Sequence, residues 1–283
     1  MKMAQLPQRI GLALALFVAG GAAAQTNITF PDPNLEAAVL STLHKTNGTV
    51  STTDMLGLTN LTSSDPITNL SGLEFAANLR LLRLYNGTSA SLAPLVGLSH
   101  LTTLCFKGST PEVLAFLPAL SQLTNLDLSM SSSLTNVTSL TSLTNLVILN
   151  LADNHITDCT PLSALPRLQS LNLSHNLVGD LSPLMSLRDL RWLYLHSTSL
   201  TNIQFVSGLT NLIKLGLSDN QLTDPSPLAR LTRLVTLDLD RNALTNIQSL
   251  SGLTNLTELG LSDEFSFQLA AVAQQADHAL NSN

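Results

Sequence analysis

The sequence predicts an α/β solenoid, a curved stack of short coils with a parallel β-sheet on its inner, concave face. Three observations carry this. The pattern L-x-x-L-x-L begins at Leu79, Leu101, Leu123, Leu146, Leu168, Leu190, Leu212, Leu234 and Leu256, nine copies in which only that from Leu101 departs, with Phe106 for the last leucine. The steps are 22 residues, apart from one of 23 between Leu123 and Leu146, and such a fixed period is the signature of a repeat architecture. Finally, each pattern ends in large apolar residues two apart, the period of a strand, and most are followed by a Pro-Leu or similar return segment that cannot continue a ladder.

The elements follow in chain order. Residues 1–24 read as a secretory signal peptide. Lys2 and Arg9 precede the apolar run Ile10 to Gly20, and Ala22-Ala23-Ala24 supplies a cleavage site before Gln25. The run is too short to span a bilayer, and no later apolar stretch approaches that length. Residues 25–78 read as an N-terminal cap. Asp32 can cap a helix with Pro33 in its first turn and Leu35, Val39, Leu40 and Leu43 as its apolar stripe. A second short helix is expected from Ser51, with Asp54 completing a capping box. Residues 79–264 hold the nine repeats. The segment Ser109-Thr110-Pro111-Glu112 reads as the start of a true helix turn on the convex side, where short 3-10 and extended segments are otherwise expected. Residues 265–283 read as a short C-terminal cap helix, N-capped by Asp263 and carrying Phe265, Leu269 and Val272, and a frayed tail.

In the repeat from Leu146, the side chains of Leu146, Leu149 and Leu151 point inward, Asn154 turns the chain, Ile156 returns to the core, and Pro161-Leu162 with Leu165 closes the coil. An asparagine at the ninth position can bond backbone groups of the adjoining coil through both its C=O and its NH₂. Asn154, Asn176, Asn220 and Asn242 are therefore expected to form a structural ladder. The ninth position is Gly87, Ser109, Ser131, Thr198 and Glu264 in the other repeats, so the ladder is expected to be looser early in the stack.

Composition narrows the function. Loss of Lys2 and Arg9 with the signal would take the formal net charge from −6 to −8. An acidic chain with few cations cannot neutralise a row of phosphates, which argues against nucleic acid. Charged residues are 11% of the chain, well under the usual ~25%, and Ser, Thr and Asn must cover the outside. Cys105 and Cys159 fall on different faces and in different repeats, so two free thiols are expected and no metal site.

At this point the chain resembles the bacterial internalins, whose 22-residue unit reads L-x-x-L-x-L-x-x-N-x-I-x-D-x-x-P-L-x-x-L. The copies nearest that unit run from Leu146 to Leu165, Leu168 to Leu187 and Leu212 to Leu231. The segment Phe30-Pro31-Asp32-Pro33-Asn34-Leu35 is similar to the helical cap that precedes such repeats. The resemblance implies a right-handed leucine-rich-repeat horseshoe with a ligand-binding concave face, and for some members adhesion to host surface proteins. No immunoglobulin-like domain and no L-P-x-T-G wall-sorting motif follow the repeats. The expected location is secreted, periplasmic or at the cell surface.

With the register fixed, the second, third, fifth, seventh and eighth residues of each repeat face outward from the sheet. The single Trp and both Tyr all fall there, as Trp192, Tyr194 and Tyr85, and these are residue types enriched at binding hot spots. Aromatic residues are also good strand formers, which alone could place them on a sheet face. Arg191, His196, His175 and Lys214, flanked by Asn150 and Asn172, complete a central patch suited to an acidic or glycosylated protein surface. Tyr85 with Arg80 and Arg83 forms a second patch. Asp219, Asp238, Asp240, Glu258 and Asp263 make the far end acidic, without the spacing of a calcium loop.

Catalysis is not expected. There is no H-E-x-x-H and no G-x-S-x-G, and His155 with Asp158 are turn residues of a repeat. The reading is a monomeric module, with no cofactor and no membrane span in its mature part, that binds an extracellular or cell-surface protein. Glycan binding through Trp192 and Tyr194, or a self-associating envelope component, are the alternatives. Truncating an inward residue, as in Leu171→Ala, is expected to cost about 2–5 kcal/mol in a denaturant titration; a neutral result would show the register to be wrong.

Overall fold

The computed structural model describes residues 26–261, except 47, 87–90 and 132. The signal segment, the end of the ninth repeat and the C-terminal cap helix expected over 265–283 lie outside the described residues. The chain starts with β1 (Asn27–Ile28), α1 (Pro33–Thr42), β2 (Val50–Ser51) and α2 (Thr52–Met55). Ten parallel strands then form one sheet in sequence order: β3 (Asn60–Ser63), β4 (Leu81–Leu84), β5 (Thr103–Phe106), β6 (Asn125–Asp127), β7 (Ile148–Asn150), β8 (Ser170–Asn172), β9 (Trp192–Tyr194), β10 (Lys214–Gly216), β11 (Thr236–Asp238) and β12 (Glu258–Gly260). β1 and β2 pair antiparallel beside the front cap.

The caps form where the side chains dictate. Asp32 Oδ1 accepts from the N–H groups of Asn34 (2.9 Å) and Leu35 (3.1 Å), closing the start of α1. Its Oδ2 accepts from Thr68 N, Thr68 Oγ1 and Asn69 N, so one buried carboxylate ties the cap helix to the first coil. Burial pushes the Asp32 carboxyl up, but the hydrogen bonds from Thr68, Leu35 and Asn69 outweigh it and hold it below the ordinary carboxylate range. Ser51 and Asp54 form the reciprocal capping box of α2. Asp54 also receives the Lys45 ammonium, and with Ser51 this lowers its pKa to about 2. Gly72 sits at φ 106°, and a Cβ there would lie 2.6 Å from Phe30 Cε1, so only glycine lets Phe30 close the front of the core.

Sheet pairing begins one strand ahead of the first L-x-x-L-x-L pattern. The segment from Leu58 reads L-x-x-L-x-S, and the buried Ser63 stands where Leu84 stands one coil later. Leu58, Leu61, Ile67, Leu70 and Leu73 are buried as in any later coil. The substituted leucine hid this coil from the pattern. Each later coil whose return is described closes through a 3-10 turn, such as Thr160–Ala164, Ser182–Ser186 and Ser226–Arg230. An Asp or Asn two residues before each of these serines and threonines accepts their N–H, as Asp158 does from Thr160 (2.8 Å) and Asp180 from Ser182 (2.8 Å). The helix turn expected from Ser109 is not a longer α-helix but two 3-10 turns, Pro111–Ala115 and Leu117–Ala119. Pro118 has no N–H to continue an α-helix, and the chain must deliver Val113, Leu117 and Leu120 to the core.

After each strand the chain turns at the eighth position, where Met130, Asp153, His175, Ser197, Asp219 and Arg241 adopt φ between 52° and 59° and Gly108 adopts 71°. Asp, His and Gly tolerate this left-handed region better than most residues. The ninth residue then bridges coils. The Nδ2 of Asn220 donates to the carbonyls of Leu195 (2.8 Å), Leu217 (2.9 Å) and Ser218 (3.2 Å), and its Oδ1 accepts from Thr198 N, Thr198 Oγ1 and Leu200 N. Asn176 and Asn242 repeat the scheme. Asn154 keeps only half of it. Its Nδ2 donates to Leu128, Leu151 and Ala152, while its buried Oδ1 has no hydrogen-bond partner among the described residues. The cause is the 23-residue coil: its extra residue falls between Met130 and Leu134, and Leu134 N turns back to Ser131 O (2.8 Å) instead. Earlier coils substitute a shared hydroxyl pair, Ser109 Oγ to Ser131 Oγ at 2.9 Å.

Cys159 lies in the core and Cys105 on the inner face of the sheet, both buried and unbridged. Burial, helped by Asp127, pushes Cys105 to about 11, and burial, helped by Asp158 and Asp180, pushes Cys159 to about 12. Two outcomes are expected. Both thiols resist a disulfide reagent at pH 8 in the native protein and titrate fully after unfolding; a fast-reacting native thiol would contradict the fold. Asn220→Ala, which leaves backbone donors and acceptors unpaired on both sides, costs about 1–3 kcal/mol more than Asn154→Ala in denaturant unfolding. Equal losses would show that the 23-residue coil does not interrupt the ladder.

Candidate functional site

The strand register sorts the concave face into columns. The third positions align Leu81, Thr103, Asn125, Ile148, Ser170, Trp192, Lys214, Thr236 and Glu258. The fifth align Arg83, Cys105, Asp127, Asn150, Asn172, Tyr194, Gly216, Asp238 and Gly260 along the same pairings. These columns are not evenly open. Cys105 and, in the seventh column, Ser129, Ala152 and Ser174 are buried.

Trp192, Tyr194, His196 and Lys214 come together on β9 and β10 and the turn that follows β9. Trp192 and Lys214 are directly paired across the strands. The Lys214 ammonium lies 5.8 Å from the centroid of the Tyr194 ring, within cation–π range. The rings of Tyr194 and His196 are 6.1 Å apart and tilted by 36°. His196 Nδ1 is 2.6 Å from Ser218 Oγ and 3.7 Å from Asp238 Oδ2. Its ring fills the space over Gly216, where any Cβ would collide with it. Burial pushes the His196 imidazole below the ordinary histidine range; Asp238 opposes this, and His175 and Lys214 add to it. The burial of His196 thus disfavours its charged form, whereas the sequence suggested a rim of cations.

The other candidates take different places. Asn150 Oδ1 accepts from Ala152 N (3.1 Å) and Asn172 Oδ1 from Ser174 N (3.0 Å), so both hold the strand exits as well as lining the face. Asp127 does the same for Ser129 N (2.9 Å). His175 is exposed at a left-handed turn position, its N–H donating to His196 O (2.8 Å). Arg191 lies at the strand-entry margin, in a shallow hollow of about 300 Å³ shared with Asp189, Asn211 and Arg233. Tyr85 and Arg83 are exposed on and beside β4.

Sequence reasoning treated the two aromatic patches as separate, and the structure joins them. One hollow of about 390 Å³ runs along the concave face from Arg83 and Tyr85 at one end to Tyr194 at the other. Between them lie Asp127, Asn150, Asn172 and the half-exposed Ile148. Lys107 belongs to it too, its ammonium 5.6 Å from the Tyr85 ring centroid and 3.7 Å from Asp127 Oδ2. Lys107, Asp127 and Ile148 were missed, although their repeat positions mark them as outward. Beyond β10 the face turns acidic, with Asp238, Asp240 and Glu258, and Asp219 pairs with Arg241 at 2.9 Å. Among the described residues, no group of three or more His, Cys, Asp or Glu could hold a metal ion, and no helix is long and apolar enough to cross a membrane.

The family described as Leucine Rich repeats (2 copies) matches residues 144–186 and 210–251. No curated protein matches the chain. Among solved structures, an internalin (InlF) of Listeria monocytogenes is similar with a TM-score of 0.70 and 27% identity, covering 82% of this chain and 76% of the other. Internalin C2 of the same organism is similar at 0.65 and 29%, covering 86% of this chain and 100% of the other. A leucine-rich-repeat protein of Leptospira interrogans shares the fold at 0.58 and 24%, over 71% of this chain and 59% of its own. With the repeat, the parallel sheet and the 3-10 returns, these likenesses lead to one conclusion: the chain is an internalin-like leucine-rich-repeat protein.

Proposed function

We propose that this protein is an exported recognition module that holds another protein, extracellular or on a cell surface, against its concave face. The observation that carries the reading is the convergence of the single Trp and both Tyr on that face, with Tyr85 and Tyr194 at the two ends of one hollow and Trp192 on the same strand as Tyr194. Large amphipathic aromatics supply contact area at low entropic cost and dominate interface energetics. Leucine-rich-repeat proteins of the internalin type usually mediate protein–protein recognition, which supports the same reading. Trp192, Tyr194 and Lys214 form the central anchor, His196 supports Tyr194 from below, and Tyr85 with Arg83 forms the outer anchor. Asn150 and Asn172 line the floor. Export rests on the composition of residues 1–24, and a single copy is taken as the binding unit.

The test is a capture experiment on extracellular proteins and glycans, comparing the mature protein with Trp192→Ala/Tyr194→Ala. Both side chains are only half-buried, so the variant is expected to keep the circular dichroism spectrum and unfolding midpoint of the parent within about 1 kcal/mol. A protein partner held by the parent and lost by the variant is the expected result. Retention of that partner by the variant would move binding off this face, and capture of glycans alone would favour sugar recognition.

A further inference from the structure

We propose that the hollow between Tyr85 and Tyr194 is a two-ended receptor for an extended acidic peptide segment, laid across the strands with a carboxylate at each end. The inference rests on the concave-face reading above and names the chemistry of what that face takes. The two ends are built alike. Tyr85 follows β4, and Lys107, after β5, places its ammonium 5.6 Å from the Tyr85 centroid. Tyr194 is on β9, and Lys214, on β10, stands 5.8 Å from its centroid. In each case the tyrosine is one strand before the lysine. A ring beneath an ammonium fixes its position without neutralising its charge, so each pair offers a held cation beside a phenol hydroxyl.

Charge supports the assignment. Lys214 and Arg83 have no ion-pair partner among the described residues; Lys107 shares Asp127, and Arg83 restores the positive excess at that end. The chain as a whole is acidic, at a formal −6, so cations at one end of the hollow and, on Lys214, beside the Tyr194 that closes the other are a local exception. The ends are five strand intervals apart, about 24 Å, a span covered by about seven extended residues. Half-exposed Ile148 offers one apolar contact along the way, and Asn150 and Asn172 bring amides to the floor. Past Lys214 the carboxylates of Asp238, Asp240 and Glu258 repel an acidic chain and set where the segment stops. A peptide fits better than a glycan, because in each tyrosine a lysine already covers one ring face that a sugar would stack on.

The test uses a dye-labelled, end-blocked heptapeptide, Glu-Ser-Ser-Val-Ser-Ser-Glu, its counterpart with lysine at both ends, and an oligoglucuronate, each titrated by anisotropy. Saturable binding of the glutamate peptide is expected. It should weaken with added salt and fall at least about tenfold in Arg83→Ser/Lys214→Ser, a variant of accessible side chains whose fold is checked by circular dichroism. The lysine peptide should not bind. Absence of saturable glutamate-peptide binding, equal binding of the lysine peptide, indifference to the double substitution, or binding of the oligoglucuronate in place of the peptide would each overturn the proposal. Were the glutamate peptide ignored while Trp192→Ala/Tyr194→Ala still lost its captured partner, the concave face would stand and the acidic chemistry would fall. If that variant kept its partner, both would fall.

Discussion

Every coil of this chain faces the same difficulty: some 22 residues carry enough leucine to demand an interior but not enough chain to enclose one. The interior therefore exists only between neighbouring coils, where Leu149 of one pairs along the strand register with Leu126 of the coil before and Leu171 of the coil after. Stacking also aligns backbone groups that water can no longer reach. Strand pairing satisfies those on the concave side, and on the turn after it the buried asparagines do so with both ends of one amide. The sheet, its curvature and the columns of outward side chains all follow from that shared burial.

The interruption at the 23-residue coil shows how tight the constraint is. One added residue between Met130 and Leu134 leaves the sheet in register, because the strands are fixed by their leucines on either side. It displaces only the turn, and with it the donor that Asn154 Oδ1 would otherwise receive. The coils before this point use serine hydroxyls where later coils use asparagine. The bridging between coils is thus uneven, with both ends of the amide engaged at Asn176, Asn220 and Asn242.

The face inherits its geometry from the same stack. A parallel sheet of equal coils turns sequence period into spatial column, so a residue at one repeat position becomes the neighbour of its equivalents. Small residues in a column then matter as much as large ones. Gly216 leaves the space that His196 occupies, and burial there disfavours the charged imidazole and sets its ring beside that of Tyr194.

Much was legible in the sequence because a repeat makes burial periodic: the inward leucines, the four asparagines and the outward placement of Trp192, Tyr194 and Tyr85 all follow from register alone, and the cap at Asp32 from its local Asp-Pro signal. The coil at Leu58 escaped because one serine replaced a pattern leucine, and Pro118 decided the turn after Thr110 against an α-helix. What only the tertiary structure decided lies between coils. Lys107 reaching Tyr85, Lys214 reaching Tyr194, His196 lying over Gly216, and two patches merging into one hollow depend on side-chain directions across strands 22 residues apart. The period of a sequence states which residues share a face; it does not carry the reach of one side chain toward another, and that reach shapes the site.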